Sequence, residues 1–142
     1  MTLKGIICTA IGIMGAWISE MFGGWDAALS TLVIFMCLDY ITGIIVAGVF
    51  HQSSKSENGG LKSIAGWQGL CRKGVTLCVV FIACRLDMLL GTTYMKDTVV
   101  FAFCANELIS IVENAGLMGI PMPEIIIKAI DILKKDDEYE DN

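Results

Sequence analysis

Four apolar stretches dominate the chain, and each is long enough to cross a bilayer as a helix. They cover residues 5–22, 27–50, 74–91 and 97–117. A hydrocarbon core about 30 Å thick takes roughly 17–25 helical residues to span. None of the stretches shows the period-2 alternation of a membrane barrel strand. The expectation is an all-α membrane protein with four transmembrane helices. A three-span alternative treats residues 5–22 as a cleaved signal, since Lys4 precedes the apolar run, but no small-x-small site follows. Composition agrees: 55% of the 142 residues are hydrophobic and 18% are charged, whereas a soluble domain averages about a quarter charged.

The remaining segments are short. Residues 51–73 read as a polar loop, with Gly59-Gly60 as its turn and a second half carrying Ile64, Trp67, Leu70 and basic residues that suits the membrane interface. Pro121 and Pro123 end the fourth stretch. A short C-terminal amphipathic helix is then predicted over residues 123–135, with Ile126, Ala129, Ile130 and Leu133 on one face. Residues 1–135 thus form a single helical membrane domain. Residues 136–142 hold five acids and no base, which reads as a solvated, disordered acidic tail. That tail accounts for the whole net charge of −5. A balance of 10 Lys+Arg against 15 Asp+Glu excludes a nucleic-acid binder.

Basic residues set the orientation. With four spans, Lys4, Lys55, Lys62, Arg72, Lys73, Lys128, Lys134 and Lys135 fall on one side, and only Lys96 on the other. The bias places both termini and the 51–73 loop in the cytoplasm, an N-in/C-in multi-pass topology.

The ionisable residues inside the spans are the most informative. Asp39 lies in the second, Arg85 and Asp87 in the third, Glu107 and Glu113 in the fourth. An Asp, Lys or Arg at a helix centre costs about 2.5–3.5 kcal/mol, while each Leu, Ile, Phe or Val returns about 0.3–0.6. Nine strongly apolar residues in the third span contribute about −4 kcal/mol, which Arg85 and Asp87 cancel with about +4 to +6. The second span, with twelve such residues against one Asp, nets about −3 kcal/mol and inserts unaided. Arg85 and Asp87 are two residues apart and do not face each other. Asp39 or Glu107 on a neighbouring helix or subunit is the expected partner of Arg85.

Asn106, Glu107, Ser110, Glu113 and Asn114 form a polar stripe on the fourth span. It reads either as polar glue between helices of one bundle or as a surface lining an aqueous opening in an assembly. Gly12 and Ala16 in the first span, and Gly43 and Ala47 in the second, suit close helix packing, within one chain or between copies. His51 is the only histidine and sits in the polar loop. There is no metal-ligand motif, no phosphate-cradling glycine loop and no C-x-x-C pair. No catalytic residue, metal or cofactor is therefore expected, and the six cysteines read as small apolar residues.

The segments LDYITGIIVAG (38–48), GLCRKG (69–74), RLDMLLG (85–91) and NELISIVENAGLMGIPMP (106–123) resemble the toxin-secretion/phage-lysis holin family of small phage and prophage holins, which includes the clostridial toxin-release holin. The resemblance covers about residues 28–135. It carries Asp39, Thr42, Gly43, Arg72, Lys73, Asp87, Asn106, Glu107, Ser110, Glu113 and Asn114 as family motif residues, none of them catalytic. It implies a protein of the host cytoplasmic membrane that forms homo-oligomers in the lipid bilayer and opens a non-specific lesion. Through that lesion an endolysin, or a toxin, leaves as cargo. One departure stands out: many holins end in a basic tail, and this chain ends in acids. The rival readings are a regulated ion channel or transporter subunit, and a holin inhibitor.

Overall fold

A computed structural model of the chain describes residues 2–53, 55, 57, 59, 60 and 62–140, with only the backbone of residues 133–140. It is helical throughout, with no strand among the described residues. The elements in order are α1 (Leu3–Met21), α2 (Ala27–Ile45), a π-helical turn (Val46–Phe50), α3 (Ser63–Leu90), α4 (Tyr94–Leu117) and α5 (Glu124–Glu140).

Glycines stop three of the helices. Gly23 follows α1 at φ 73°, Gly91 follows α3 at φ 66°, and Gly119 follows α4 at φ 78°. Each left-handed residue lets the chain fold back on the last turn. Gly24 N–H reaches Ser19 O at 2.9 Å, Thr92 N–H reaches Asp87 O at 3.0 Å, and Ile120 N–H reaches Ala115 O at 3.1 Å. These are the six-to-one bonds of the Schellman stop, which satisfy otherwise orphaned carbonyls. α2 ends differently. It widens into the π turn, and His51 at φ 51° closes it by donating its N–H to Val46 O.

Among the described residues, three helices are long and apolar enough to cross a membrane: α1, α2 with its π turn, and α4. α3 is not among them, although its 28 residues reach about 42 Å at 1.5 Å per residue. It carries Arg72, Lys73, Arg85 and Asp87, which oppose the apolar gain of residues 74–90. The three therefore differ from the three-span alternative read from the sequence, which drops the first stretch and keeps the third. α3 also begins earlier than the apolar pattern predicts. Residues 63–73, read above as loop, are its first turns, because no Gly-Gly or Pro lies between Ser63 and the apolar run to break the helix.

Two compact units share the helices: residues 1–34 with 71–104, and residues 35–70 with 105–142. In the first, the buried side chains are Leu29, Leu32, Val80, Ala83, Cys84 and Val100, with Asp87 as the polar exception. In the second they are Met36, Val46, Ala47 and Ile130, together with Asp39, Glu107 and Asn114. The first unit buries the usual apolar set, and the second buries nearly as many polar groups as apolar ones. α1 has no buried residue at all, with Ile13 66% and Trp17 62% exposed. An apolar helix with that exposure is suited to lipid, not to water.

α5 runs past the predicted amphipathic segment, to Glu140. Ile130 is buried and Ile126 half-buried, whereas Ala129 is exposed; the side chain of Leu133 lies outside the described residues. So do the side chains of the acidic end expected at 136–142.

Candidate functional site

The second unit assembles a buried polar cluster from two of the sequence-predicted residues. Asp39 sits in α2, Asn114 in α4, and both are over nine-tenths buried. Asn114 Nδ2 donates to Asp39 Oδ1 at 3.2 Å and to Thr42 Oγ1 at 3.0 Å, with Asp39 O at 3.4 Å. Thr42 Oγ1 in turn donates to Asp39 O at 3.1 Å. A hydroxyl in a membrane helix thus closes on its own preceding turn and still accepts from a neighbour, so no buried side-chain nitrogen or oxygen among the described residues lacks a partner. Gly43 lies beside the cluster, where a Cβ would meet Asn114 Nδ2 at an ordinary 3.8 Å. Gly43 is thus half-buried and Ala47, one turn on, buried on α2, whereas Gly12 and Ala16 lie on the exposed surface of α1, with nothing near Gly12.

The polar stripe of α4 is divided. Glu107 and Asn114, seven residues apart, are buried; Ser110 between them is half-buried; Asn106 and Glu113 are exposed. The stripe thus has a buried edge and an exposed edge.

The first unit holds a second cluster at the ends of its helices. Asp87 lies in the last turn of α3 and is 6% exposed. Its Oδ1 accepts from Thr92 Oγ1 and from Met95 N–H at 3.2 Å, and its Oδ2 accepts from Lys96 N–H at 2.8 Å. These are first-turn donors of α4, so Asp87 is a cap supplied by the preceding helix. A carboxylate there also faces the positive end of the α4 dipole. Asp26 does the same for α2, its Oδ1 accepting from Leu29 N–H at 2.8 Å. The other Asp26 oxygen pairs with Lys96 Nζ, and Asp97 Oδ1 lies 3.9 Å from the same ammonium. Burial pushes the Asp26 carboxyl up, but the Lys96 hydrogen bond, the Leu29 N–H and the Lys96 charge outweigh it and hold the group below the usual carboxylate range. These residues line a cleft of about 260 Å³ with Phe22, Gly23, Cys84 and Met88. Phe22 stands edge-on to Phe81, ring centroids 5.5 Å apart.

Arg85 is exposed, and its Nη1 donates to Met88 Sδ at 3.4 Å on the same helix. Asp39 and Glu107, its expected partners, belong to the other unit. The long Arg stem lets the guanidinium reach along the helix toward its end. Four of the six cysteines are exposed, Cys104 is half-buried, and only Cys84 is buried; most face outward as small apolar groups instead of filling a core. No group of three or more His, Cys, Asp or Glu that could hold a metal occurs among the described residues.

Asp26 and Thr92 escaped the sequence reading, and Lys96 entered it only as a charge that sets orientation. Asp26 carries a legible signal, an Asp three residues before the N–H it caps at the start of an apolar run. Lys96 is the single base opposite eight others, beside Asp97 and near the same turn level as Asp26.

Comparison with known proteins follows the same direction. Residues 16–135 match the Bacteriophage holin family. The chain belongs to that family. An uncharacterised protein of Clostridium perfringens is 36% identical over 129 residues, covering 88% of this chain and 90% of the relative. One from Listeria innocua is 38% identical over 139 residues, covering 94% of each. A protein named "Probable holin" in Bacillus phage phi105 is 27% identical over 111 residues, covering 78% of this chain and 76% of its own. No solved structure matches the chain. Holin-family proteins permeabilise membranes and are not enzymes. Membership, together with three membrane-length apolar helices, makes this a multi-pass membrane protein of holin type.

Proposed function

We propose that this holin-family chain accumulates in the bacterial cytoplasmic membrane, assembles with copies of itself, and opens a non-specific lesion through which an endolysin, or a toxin, escapes. α3 serves as the fourth span, with both termini in the cytoplasm; its break-even insertion is completed by packing against the other helices. The observation that carries the reading is the divided stripe of α4. Glu107 and Asn114 are buried, but Asn106 and Glu113 are exposed on a helix apolar enough to span lipid. Polar groups on a lipid-facing surface are costly unless another helix or water meets them. In the closed assembly a second copy covers this exposed edge, beside the contacts it makes within its own chain, and in the open one water covers it. In the closed state the buried Asp39, Asn114 and Glu107 stay within each chain.

Induced expression in a bacterium, with membrane potential and release of a cytoplasmic reporter protein followed together, tests this. The expected result is a delay, then abrupt depolarisation with reporter release at the same moment. Depolarisation without release would mark an ion channel, and neither event an inhibitor; either outcome sinks the lesion. Glu107→Leu and Arg85→Leu should each shift the delay. Unchanged timing in both would reduce these charges to scaffolding.

A further inference from the structure

We propose that the Asp26–Lys96 pair is a closed-state latch, holding the start of α2 against the start of α4 over Cys84, and that its release precedes opening. The regulatory part rests on the lesion reading above; the contact itself does not.

The pair joins two turns that are distant in sequence, and each partner is fixed from a second direction. Asp26 gives one oxygen to the first turn of α2 through Leu29 N–H and the other to Lys96 Nζ. Lys96 is held through its own backbone, since its N–H donates to the buried Asp87. The ammonium side chain is 17% exposed and the Asp26 side chain 41%. The backbone of each partner is thus set at a helix start, so the pair bridges two fixed points, and it can break by rotation of the Lys96 stem with both caps kept. Cys84, 2% exposed, lies against this cleft. Opening the latch would uncover its thiol.

Charge makes the latch asymmetric. Around the cleft stand Asp26, Asp87 and Asp97, and Lys96 is the cation among them. Removing Asp26's charge still leaves Lys96 with Asp97 at 3.9 Å and the Asp87 carboxylate close by. Removing Lys96's charge leaves three carboxylates together with no cation. Lys96→Met keeps the apolar stem and loses the charge. Asp26→Asn keeps a good capping oxygen for Leu29 and loses the charge. The lysine variant should therefore loosen the cleft more.

Two readouts separate the latch from the lesion. In a full-length chain with the other five cysteines changed to alanine, maleimide labelling of Cys84 in membranes reports the cleft. Time to lysis after induction reports function, at matched accumulation. Lys96→Met should raise the labelling rate roughly two- to fivefold, the factor that loss of a partly exposed ion pair supplies, and should bring lysis earlier. Asp26→Asn should do the same to a smaller degree. The double variant should match Lys96→Met instead of adding to it, because the pair can be broken only once. Unchanged labelling in both single variants overturns the latch. Faster labelling with unchanged lysis time overturns its regulatory role. Faster labelling when even the parent chain never lyses supports the latch contact and overturns the lesion.

Discussion

Replacing Asp87 by leucine sets two effects of opposite sign against each other. An Asp at the centre of a span costs about 2.5–3.5 kcal/mol to insert, and a Leu there returns about 0.5. Asp87 is three residues from the end of α3 at Leu90, so its insertion cost is a fraction of that figure, and the gain on removal is about 1 kcal/mol. Against this stand three lost hydrogen bonds. Thr92 Oγ1 and the N–H groups of Met95 and Lys96 all donate to this carboxylate. Two backbone donors left without a partner at a site 6% exposed cost about 1–3 kcal/mol each. The cap wins, and Asp87→Leu should lower the stability of the folded chain by about 1–5 kcal/mol while leaving its insertion intact or improved. Asp87→Asn keeps one acceptor oxygen and should lose about half as much. The assay is reversible unfolding in mixed micelles by added SDS, followed by helical circular dichroism, with membrane-fraction yield as the insertion control. An Asp87→Leu protein that unfolds at the parent's SDS fraction would refute the cap. It would mean that water satisfies the first turn of α4.

Asn114→Leu and Asp39→Leu should each lower stability by about 0.5–2 kcal/mol, with a double variant less harmed than the sum, because hydrogen bonds between membrane helices average about 0.6 kcal/mol and reach about 1.7; a cycle with no coupling in the same titration removes the cluster as a stabilising contact. Gly23→Ala should cost about 1–2 kcal/mol from the left-handed backbone alone, besides forcing Met88 Cε away from a new Cβ at 2.7 Å; Gly12→Ala should leave the SDS midpoint unchanged. Asp26 titrates below its ordinary value of about 3.9, so the stability it contributes is present above that pH and is lost as pH falls through the lower, folded value. Cys84 labelling should accordingly be insensitive to the Asp26 carboxyl between pH 8 and 5, and Asp26→Asn should remove part of any loosening seen in stronger acid.

The helices were legible because their signals are local. Apolar length and glycine stops depend only on neighbours in sequence, and Gly23, Gly91 and Gly119 fall where the apolar runs end. The start of α3 was not legible, since residues 63–73 mix Ile64, Trp67 and Leu70 with Gly66, Gly69 and basic residues, a composition that fits an interfacial loop as well as the exposed turns of a long helix. The membrane length of α3 was legible, but its standing as a span was not settled by length. There the charges carry the information: Arg85 and Asp87, with Lys73, fall within about the last five turns of α3, and that sets it apart from the three membrane-length helices.

At the site, the pattern gave residue types and the fold gave partners. Asp39 and Asn114 were each visible as polar groups out of place in lipid, but 75 residues separate them, and no periodicity joins α2 to α4. Asp87 shows the limit most plainly. Its sequence context says only that an acid lies in an apolar run and needs a partner, which turns the search toward cations. The partners it found are a hydroxyl and two backbone N–H groups, which every non-proline residue carries and which no composition can single out. The cation went instead to Asp26, a residue outside the spans whose cap role was readable and whose second oxygen was not. Intramembrane acids in a chain of this kind are therefore poorly assigned by matching charge signs. The first groups to examine are the orphan donors at the start of the next helix, because a glycine stop followed by a short turn returns them to the last turn of the helix before.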